Sequence, residues 1–241
     1  MIKVGLCGWT IAAREYFERF PVLEVQQTFY DPPAERTLAR WRESAPPGFE
    51  FTLKAWQLIT HEATSSTYRR LRRPLPQGDR AQAGAFRDSA VVEAAWQTTL
   101  RCARLLRATA VLYQCPASFR PTEENAARMW KFFHKERHGL RFLWEPRGAW
   151  PAELVRRLCT ELDLVHVVDP FVAESVTPEH IYFRLHGIGG SRHVYTDAEL
   201  ARIAEWVRGR DDAYVMFNNL PRVGDAQRFL AANQISPLAG G

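Results

Sequence analysis

The stretch Leu140–Trp150, LRFLWEPRGAW, decides the fold, because its apolar run ends in the polar and aromatic residues Glu145, Arg147 and Trp150. The same arrangement recurs in AVLYQCP, LVHVVDP, IYFRLHG and AYVMFNN, which end on Gln114, on Asp169, on Arg184 with His186, and on Asn218 with Asn219. Parallel strands that are covered on both faces read as near-continuous apolar runs. In barrels of such strands, functional side chains gather at the carboxyl ends. The repeat therefore predicts a parallel sheet with its site at one end.

Eight strand-like runs alternate with helical segments along the chain. Helices are predicted over 34–44, 91–106, 122–137, 151–163, 197–208 and 224–233, with Thr122 as the cap of the third. Only FVAESVTPEH lies between Asp169 and strand seven, which is too short for a full covering helix. The pattern predicts an α/β protein, a (β/α)8 barrel of the triosephosphate-isomerase type, formed as a single domain over 1–241 and lacking the helix between strands six and seven.

The segment 62–90 differs from the rest of the chain. It contains six arginines together with Pro74, Pro76 and Gly78, and it is too polar and broken to be a core element. We expect a long arginine-rich loop or lid beside the end of strand three. The alternative is a solvated excursion without a role at the site.

Composition limits the class of protein. The 241 residues are 46% hydrophobic and 24% charged, which is typical of a globular protein with a sizeable core. No apolar run is long enough to span a membrane and no signal peptide is evident, so a cytoplasmic protein without a membrane partner is expected. The four scattered cysteines are read as reduced packing residues. The net charge of +5 permits an anionic small molecule or nucleic acid as partner, and no cofactor or oligomeric state is indicated.

Several motifs together resemble the domain of unknown function 72, or YecE-like, family over essentially the whole chain. They are GLCGW, the E-x-x-x-T-F-Y element at Glu24–Tyr30, GFEFTLKAWQLITH, YQCPASF, EPRGAW, YFRLHG, and FNN followed by DAQRF. The resemblance implies an α/β barrel, in agreement with the strand count, but no particular reaction. The chain departs from the family pattern at Gln26, where the family usually has Asn.

The two-residue period of a strand, counted back from each strand end, predicts which side chains face the barrel interior. These are Glu24, Gln26, Thr28, Thr52, Lys54, Gln114, Glu145, Asp169, Arg184, His186 and Asn218. Such a mixture of charges is costly to bury unless its members pair, and this cost is usually accepted at functional sites.

Lys54 is the first candidate catalytic residue, because it is one of only four lysines among 32 basic residues. A desolvated lysine can act as an acid, a base or a Schiff-base nucleophile, which arginine cannot. The alternative is that Lys54 simply pairs with Glu24 or Glu145. Glu145, Asp169 and His186 are candidates for general acid/base catalysis, and a structural charge network is the alternative for the two carboxylates.

Ligand-binding roles are predicted for the other polar and aromatic residues near strand ends. Arg147 and Arg184 suit phosphate or carboxylate, or else serve as ion-pair partners. Trp9, Tyr30, Trp56 and Trp150 are read as a stacking wall or as caps on the core. The remaining candidates are Glu24, Gln26, His61, Gln114, Asn218 and Asn219. Glu145, Asp169, His186 and His61 are metal-ligand types, but no HxH, HxxxH or HExxH spacing supports a metal.

Two functions follow. The first is an enzyme that acts on an anionic, phosphate-bearing substrate by general acid/base chemistry at the barrel mouth, such as a phosphoesterase or nuclease-like hydrolase. The second is a non-catalytic module that binds nucleic acid or another anionic ligand through the arginines of 69–87 and the aromatic wall. Sugar-phosphate isomerisation or lyase chemistry would also suit a barrel, by fold analogy alone.

Overall fold

The structure, a computed structural model, describes residues 1–235 and contains a closed barrel of eight parallel strands. The strands are β1 (Ile2–Cys7), β2 (Val22–Val25), β3 (Glu50–Lys54), β4 (Ala110–Gln114), β5 (Arg141–Glu145), β6 (Val165–Val168), β7 (Ile181–Leu185) and β8 (Ala213–Phe217). Each strand pairs with its neighbours in the sequence, and β8 pairs with β1 to close the ring. The predicted α/β barrel of the triosephosphate-isomerase type is confirmed.

Helices follow most of the strands. They are α1 (Ala13–Arg19), α2 (Gln27–Tyr30), α3 (Glu35–Ser44), α4 (Gln57–Thr60), α5 (Gln77–Arg80), α6 (Ala90–Leu106), α7 (Glu123–Phe133), α8 (Ala152–Glu161), α9 (Asp197–Val207) and α10 (Arg222–Ala232), with a 3₁₀ helix at Ser66–Arg70. No helix occurs over 169–180, so the predicted gap between β6 and β7 is present. Within residues 1–235, no helix is both long and apolar enough to cross a membrane.

Side-chain capping sets the start of several helices. Thr122 accepts a hydrogen bond from the Asn125 amide at the start of α7, as predicted, and Ser89 accepts one from Val92 at the start of α6. Helix α7 ends at Phe133, four residues before the predicted bound of 137. Capping oxygens satisfy amides that have no partner within the helix.

Two apolar layers lie on the two faces of the sheet. The smaller one fills the barrel interior and consists of Cys7, Val22, Ala110, Leu112, Leu143, Val165, Val167, Tyr182, Tyr214 and Met216. The larger one lies between the sheet and the helices. Ala110 and Leu112 are two residues apart on β4, so Gln114 continues their inward row. The inward position predicted for Gln114 agrees with this row.

Strand β2 is shorter than the sequence pattern predicts, because the chain leaves the sheet after Val25. Gln26 begins a helical turn in which the Phe29 amide donates to the Gln26 carbonyl across 3.1 Å. Strand β1 ends at Cys7, which pairs with Glu24, so residues beyond Val25 have no strand to pair with on that side. The inward strand positions predicted for Gln26 and Thr28 are wrong as strand positions, and both residues lie in the turn that follows.

The segment 62–90, predicted as a long arginine-rich loop or lid too polar to be a core element, is exposed only in part. Its arginines at 69, 70, 72, 73 and 80 are exposed, but Ala83, Ala85 and Phe86 are buried. The amides of 84–86 donate to the carbonyls of Leu58, Thr60 and Ile59, which fixes this end of the segment against α4. The segment is therefore an exposed basic stretch followed by a core element.

Candidate active site

A buried arginine joins two carboxylates in the barrel interior. Arg184, on β7, donates from Nε and Nη2 to Glu24 Oε1 across 3.1 and 2.9 Å, and from Nη1 to Glu145 Oε2 across 2.5 Å. Their exposed fractions are 1% for Arg184, 0% for Glu24 and 4% for Glu145. A buried guanidinium is tolerated when its charge and its donors are both matched. Arg184 is thus occupied by protein groups and positions the two carboxylates.

Further polar side chains complete the surroundings of Glu24. The Tyr182 hydroxyl donates to Glu24 Oε2 across 2.8 Å, and the Thr52 hydroxyl lies 2.9 Å from that of Tyr182. The Gln26 amide donates to Glu24 Oε1, although Gln26 follows the strand. Both oxygens of this buried carboxylate are therefore hydrogen-bonded, as burial requires.

Lys54 lies at the end of β3 with its amine buried. Its Nζ donates to Gln114 Oε1 on the neighbouring β4 and lies 3.6 Å from the centroid of the Phe29 ring. Within residues 1–235, Lys54 forms no ion pair with a carboxylate, so the predicted alternative of pairing with Glu24 or Glu145 is not what the structure contains. Its amine is held by an amide oxygen and an aromatic face.

The protonation of Lys54 responds to this setting. Burial lowers the pKa of its amine most, the positive charge of Arg184 lowers it further, and Glu145 and Glu24 raise it. The resulting pKa is about 7. An amine of this kind exchanges a proton readily near neutral pH.

The short helix α2 fixes the position of Lys54. The Thr28 hydroxyl donates to the Lys54 carbonyl across 2.7 Å and lies 3.1 Å from the Val25 carbonyl. Phe29, next in sequence, places its ring against the amine. The turn after β2 therefore holds both the backbone and the head group of Lys54.

Arg147 and His186 lie nearer to solvent than Arg184. Arg147 donates from Nε and Nη2 to Glu145 Oε1 across 3.0 and 2.7 Å, and its Nη2 lies 2.8 Å from His186 Nε2. The Arg147 side chain is 42% exposed and that of His186 is 27% exposed. Because arginine only donates, His186 Nε2 accepts here, which leaves the ring proton on Nδ1. These two side chains can meet a ligand at the mouth.

Asp169 closes the site on the side of β6. Its Oδ2 accepts from the His186 amide across 2.8 Å and lies 3.6 Å from His186 Nδ1, while Oδ1 accepts from the Phe171 amide across 3.1 Å. Asp169 thereby holds both the β7 end and the following loop. Its geometry suits orientation of the His186 ring.

Glu145 is held as a carboxylate by its neighbours. Burial raises the pKa of this carboxyl, but the charges of Arg184 and Arg147 outweigh burial and bring the pKa to about 2. Glu145 therefore carries a negative charge at neutral pH and is a weak base. It links Arg184 to Arg147 through its two oxygens.

The four aromatic residues of the predicted wall contact different neighbours and form no ring pair with one another. Trp9 packs against Tyr16, Phe17 and Trp41 in the outer core layer, and Trp150 packs against Phe119 and Trp144. The Tyr30 ring packs against Phe29 and lies 4.2 Å from the Arg70 guanidinium, and Trp56 is partly buried against the outer layer. A continuous stacking surface is absent within residues 1–235.

The other predicted residues lie at different depths. His61 is buried edge-on against Phe29, and burial, followed by the charge of Lys54, lowers its pKa to about 3. Asn219 is buried and donates to the His193 carbonyl and to Asp225. Asn218 is partly exposed, and its side chain forms no hydrogen bond within the described part of the chain. Asn218 remains available to a ligand, whereas Asn219 secures the loop after β8.

The site contains side chains that the strand pattern does not indicate. Phe29 contacts the Lys54 amine from a turn, and Tyr182 bonds Glu24 from a layer below the strand end. Tyr182 could have been found by extending the two-residue period inward from Arg184. Phe29 carries no such signal, because its position depends on where β2 ends.

The surroundings of Cys7 and of the metal-ligand residue types bear on the needs of a thiolate and of a metal site. Cys7 lies in the interior, where burial and the charge of Glu24 raise its pKa far above the ordinary value for a thiol. Within residues 1–235, no three His, Cys, Asp or Glu residues form a group able to hold a metal ion. His61, the fourth predicted ligand type, contacts Phe29 and Thr60.

Comparison with solved structures gives proteins of the same fold. A DUF72 family protein from Enterococcus faecalis has a TM-score of 0.73 and 20% identity, with 100% of this chain and 97% of that chain covered. A D-psicose 3-epimerase structure, determined in the presence of D-fructose, has a TM-score of 0.62 and 14% identity, covering 98% and 99% of the two chains. Endonuclease IV from Thermus thermophilus has a TM-score of 0.53 and 12% identity, covering 96% and 99%. At these identities the likeness shows the barrel alone.

Sequence comparison identifies the family. No curated protein matches the chain. The family model described as "Protein of unknown function DUF72" matches residues 12–236, which include all eight strands except β1. The matched region carries the whole set of charged residues that meets at the mouth. The chain therefore belongs to the DUF72 family.

Proposed function

We propose that the protein is an enzyme that acts on an anionic, phosphate-bearing substrate by general acid/base chemistry, with the Lys54 amine as the proton-transferring group. The observation that supports this most is the setting of Lys54 at the carboxyl end of β3. Its amine is buried, bonded to the neutral Gln114 amide and unpaired with any carboxylate within residues 1–235. Active sites of these barrels lie at this end of the strands.

Ion pairing supports an anionic substrate. Arg184 and Arg147 pair with Glu145, and Arg184 also with Glu24, whereas the Lys54 ammonium pairs with no carboxylate within residues 1–235. An incoming phosphate would give that ammonium an anionic partner. Arg147 and His186, which are partly exposed, would contact the same group.

The four candidate catalytic residues then divide into two roles. Lys54 transfers the proton, since a pKa about 7 leaves both of its forms populated at neutral pH. Glu145 and Asp169 orient Arg147 and His186, and His186 presents its ring to the mouth. Protonation of a leaving oxygen in phosphoester hydrolysis is the step that this arrangement serves. Proton movement in a sugar phosphate would use the same amine.

A panel of phosphomonoesters, phosphodiesters and sugar phosphates tests the proposal. We expect turnover of at least one class by the wild-type protein and its loss, by about a hundredfold or more, in Lys54→Met. Lys131→Met is the matched control, because Lys131 is exposed on α7 and pairs with Asp88. Wild-type turnover in Lys54→Met would contradict the role of Lys54. Absence of binding by every member of the panel would contradict the substrate class.

The second candidate function is a non-catalytic module that binds nucleic acid or another polyanion. It is favoured by Arg69, Arg73 and Arg80, which are exposed and form no ion pair within the described part of the chain. Arg70 stacks on Tyr30 beside them. Binding that weakens steeply with salt and is lost in the triple variant Arg69→Ser, Arg73→Ser and Arg80→Ser, without turnover of any ester, would support this function over catalysis.

A further inference from the structure

A cavity of about 450 Å³ opens from the mouth between β5 and β6. Glu145, Arg147 and His186 are among its lining residues, so it adjoins the candidate active site. Its lining also includes residues of α8 and residues 172–176, which belong to the loop after β6 where no covering helix occurs. This volume lies in the range of small-molecule sites. It is much larger than a phosphate at the mouth would need.

Strand pairing explains why the space exists. Strands β5 and β6 pair only at Leu143 with Val165 and at Trp144 with His166, whereas β4 and β5 pair at five positions up to Glu145. Beyond His166 the two strands no longer pair. Residues 172–176 of the loop after β6 form part of the cavity lining.

His166 is one of the polar residues that line the cavity. Its Nδ1 accepts from the Val176 amide across 3.2 Å, which places the ring proton on Nε2. His166 is 7% exposed, and its Nε2 has no hydrogen-bond partner within residues 1–235. Burial lowers the pKa of the ring to about 4 although Glu145 opposes this, so the ring is an uncharged donor at neutral pH. A ring N–H at the cavity wall without a protein partner can donate to an acceptor on a ligand.

Apolar side chains form part of the remaining lining. Val155, Val168, Val176 and Trp150 contribute to its walls, with Arg156 and Glu174 among its charged members. An indole and branched aliphatic side chains favour an aromatic or branched group, whereas a polyol would lose hydrogen bonds to water there. The charged groups at the mouth and the apolar walls outward of it thus suit two different parts of one molecule.

We propose that this cavity binds the non-reacting arm of the substrate, and that the arm is an aromatic, apolar group carrying one hydrogen-bond acceptor that meets His166 Nε2. The inference rests on the proposed function, since the phosphate of the same molecule would lie at Lys54 and Arg147. It narrows the substrate class to phosphate esters with an apolar arm. Sugar phosphates, whose arms carry several hydroxyls, would be disfavoured.

Three non-hydrolysable phosphonates with the same head test this arm. They are para-acetylbenzylphosphonate, methylphosphonate and dihydroxypropylphosphonate, whose affinities for the full chain are measured by calorimetry. We expect the acetylbenzyl compound to bind at least about tenfold more tightly than the other two. In long-range ¹H–¹⁵N spectra of labelled histidine, the His166 Nε2 signal should shift with the acetylbenzyl compound only.

A filling variant adds a second measurement. Ala152 is exposed at the first turn of α8 and lines the cavity, so Ala152→Phe should remove the preference for the acetylbenzyl compound and leave methylphosphonate binding unchanged. Ala201→Phe, at an exposed position of α9, is the matched control and should keep the preference. Equal affinities of the three compounds for the wild type, or a preference that survives Ala152→Phe without a shift of His166, would overturn the cavity proposal alone. Failure of all three to bind would instead count against the anionic substrate of the proposed function, and the cavity proposal would fall with it.

Discussion

Arg184 Nη1 and Glu145 Oε2 lie 2.5 Å apart in the barrel interior, and both side chains are buried. The same guanidinium also bonds Glu24, so one buried cation contacts two carboxylates, of which Glu145 also pairs with the partly exposed Arg147. Truncation of Arg184 would leave Glu24 buried without an ion-pair partner in the described part of the chain and Glu145 with Arg147 as its remaining arginine. Breaking a buried ion pair costs more than forming it contributes, because the remaining charge keeps its desolvation penalty.

We therefore expect Arg184→Met to lower the free energy of unfolding by about 3–5 kcal/mol. Arg101→Met is the control, because Arg101 and Glu35 form a pair in which both side chains are 64% exposed, and its loss should cost about 0–1 kcal/mol. Urea unfolding of the two variants and the wild type measures both values. Similar costs for the two variants would show that Arg184 is not the compensating charge.

Glu145 predicts how stability changes in acid. Its pKa is about 2 in the folded protein against an ordinary value of 4.5, so the folded state releases this proton more readily. The resulting stability is present above pH 4.5 and is lost as the pH falls toward 2, by roughly 3 kcal/mol in total. Glu145→Gln should flatten this part of the curve, and exposed Glu123→Gln should leave it unchanged. Urea unfolding at successive pH values measures the free energy of unfolding of each variant. A loss of stability below pH 4.5 that is as steep in Glu145→Gln as in the wild type would contradict the prediction.

The lowered pKa of Lys54 predicts how the free energy of unfolding changes at alkaline pH. Its folded pKa is about 7 and its ordinary value is 10.5, so between these values the unfolded chain holds a proton that the folded protein has lost. Stability should therefore rise with pH across this window, by roughly 3–5 kcal/mol. Lys54→Met should remove the rise, while Lys135→Met, which removes a partly exposed lysine, should keep it. Urea unfolding at neutral and alkaline pH measures this rise. A rise of the same size in Lys54→Met as in Lys135→Met would contradict the prediction.

The sequence predicts the position of a side chain well where the residue lies in a regular strand. Successive side chains of a strand point to opposite faces, so the strand end alone predicts which of them face the interior. This holds for Lys54, Gln114, Glu145 and Arg184. The polar residue that closes each apolar run supplied that end. The part of the site that lies on strands is therefore predictable from the sequence.

Residues outside the strands could not be placed by the same reasoning. Phe29 contacts the Lys54 amine because β2 ends at Val25 and the chain turns there, and the alternation of VLEVQQTFY does not indicate that end. Phe86 is buried although it belongs to a polar segment, because its backbone bonds α4 and its ring packs among Phe119, Phe132 and Phe133. Contacts between distant parts of the chain determine both positions.

Gly5 offers a test of how closely the strands pack. A Cβ at this position would lie 2.2 Å from the Val22 carbonyl oxygen and 2.8 Å from Val22 Cγ1, so the neighbouring backbone would have to move. We expect Gly5→Ala to lower the free energy of unfolding by about 1–3 kcal/mol, as other overpacked cores do. Gly78→Ala is the control, because nothing lies within 4 Å of its Cβ. A neutral Gly5→Ala in thermal and urea unfolding would mean that β1 and β2 can separate at this point without cost.

The Phe29 ring should raise the pKa of Lys54 above the value that burial alone would give. The amine lies 3.6 Å from the ring centroid, and a desolvated ammonium over an aromatic face is stabilised by about 2 kcal/mol relative to the neutral amine. Phe29→Leu keeps an apolar side chain but removes the ring, so the pKa of Lys54 should fall by about one unit. Competitive acetylation followed by mass spectrometry measures this pKa directly, because the chain has only four lysines and their peptides are separable. Phe133→Leu, a buried ring without a lysine contact, should leave the Lys54 pKa where it is. An unchanged or higher pKa in Phe29→Leu would show that Gln114 and the surrounding charges, not the ring, hold the proton on Lys54.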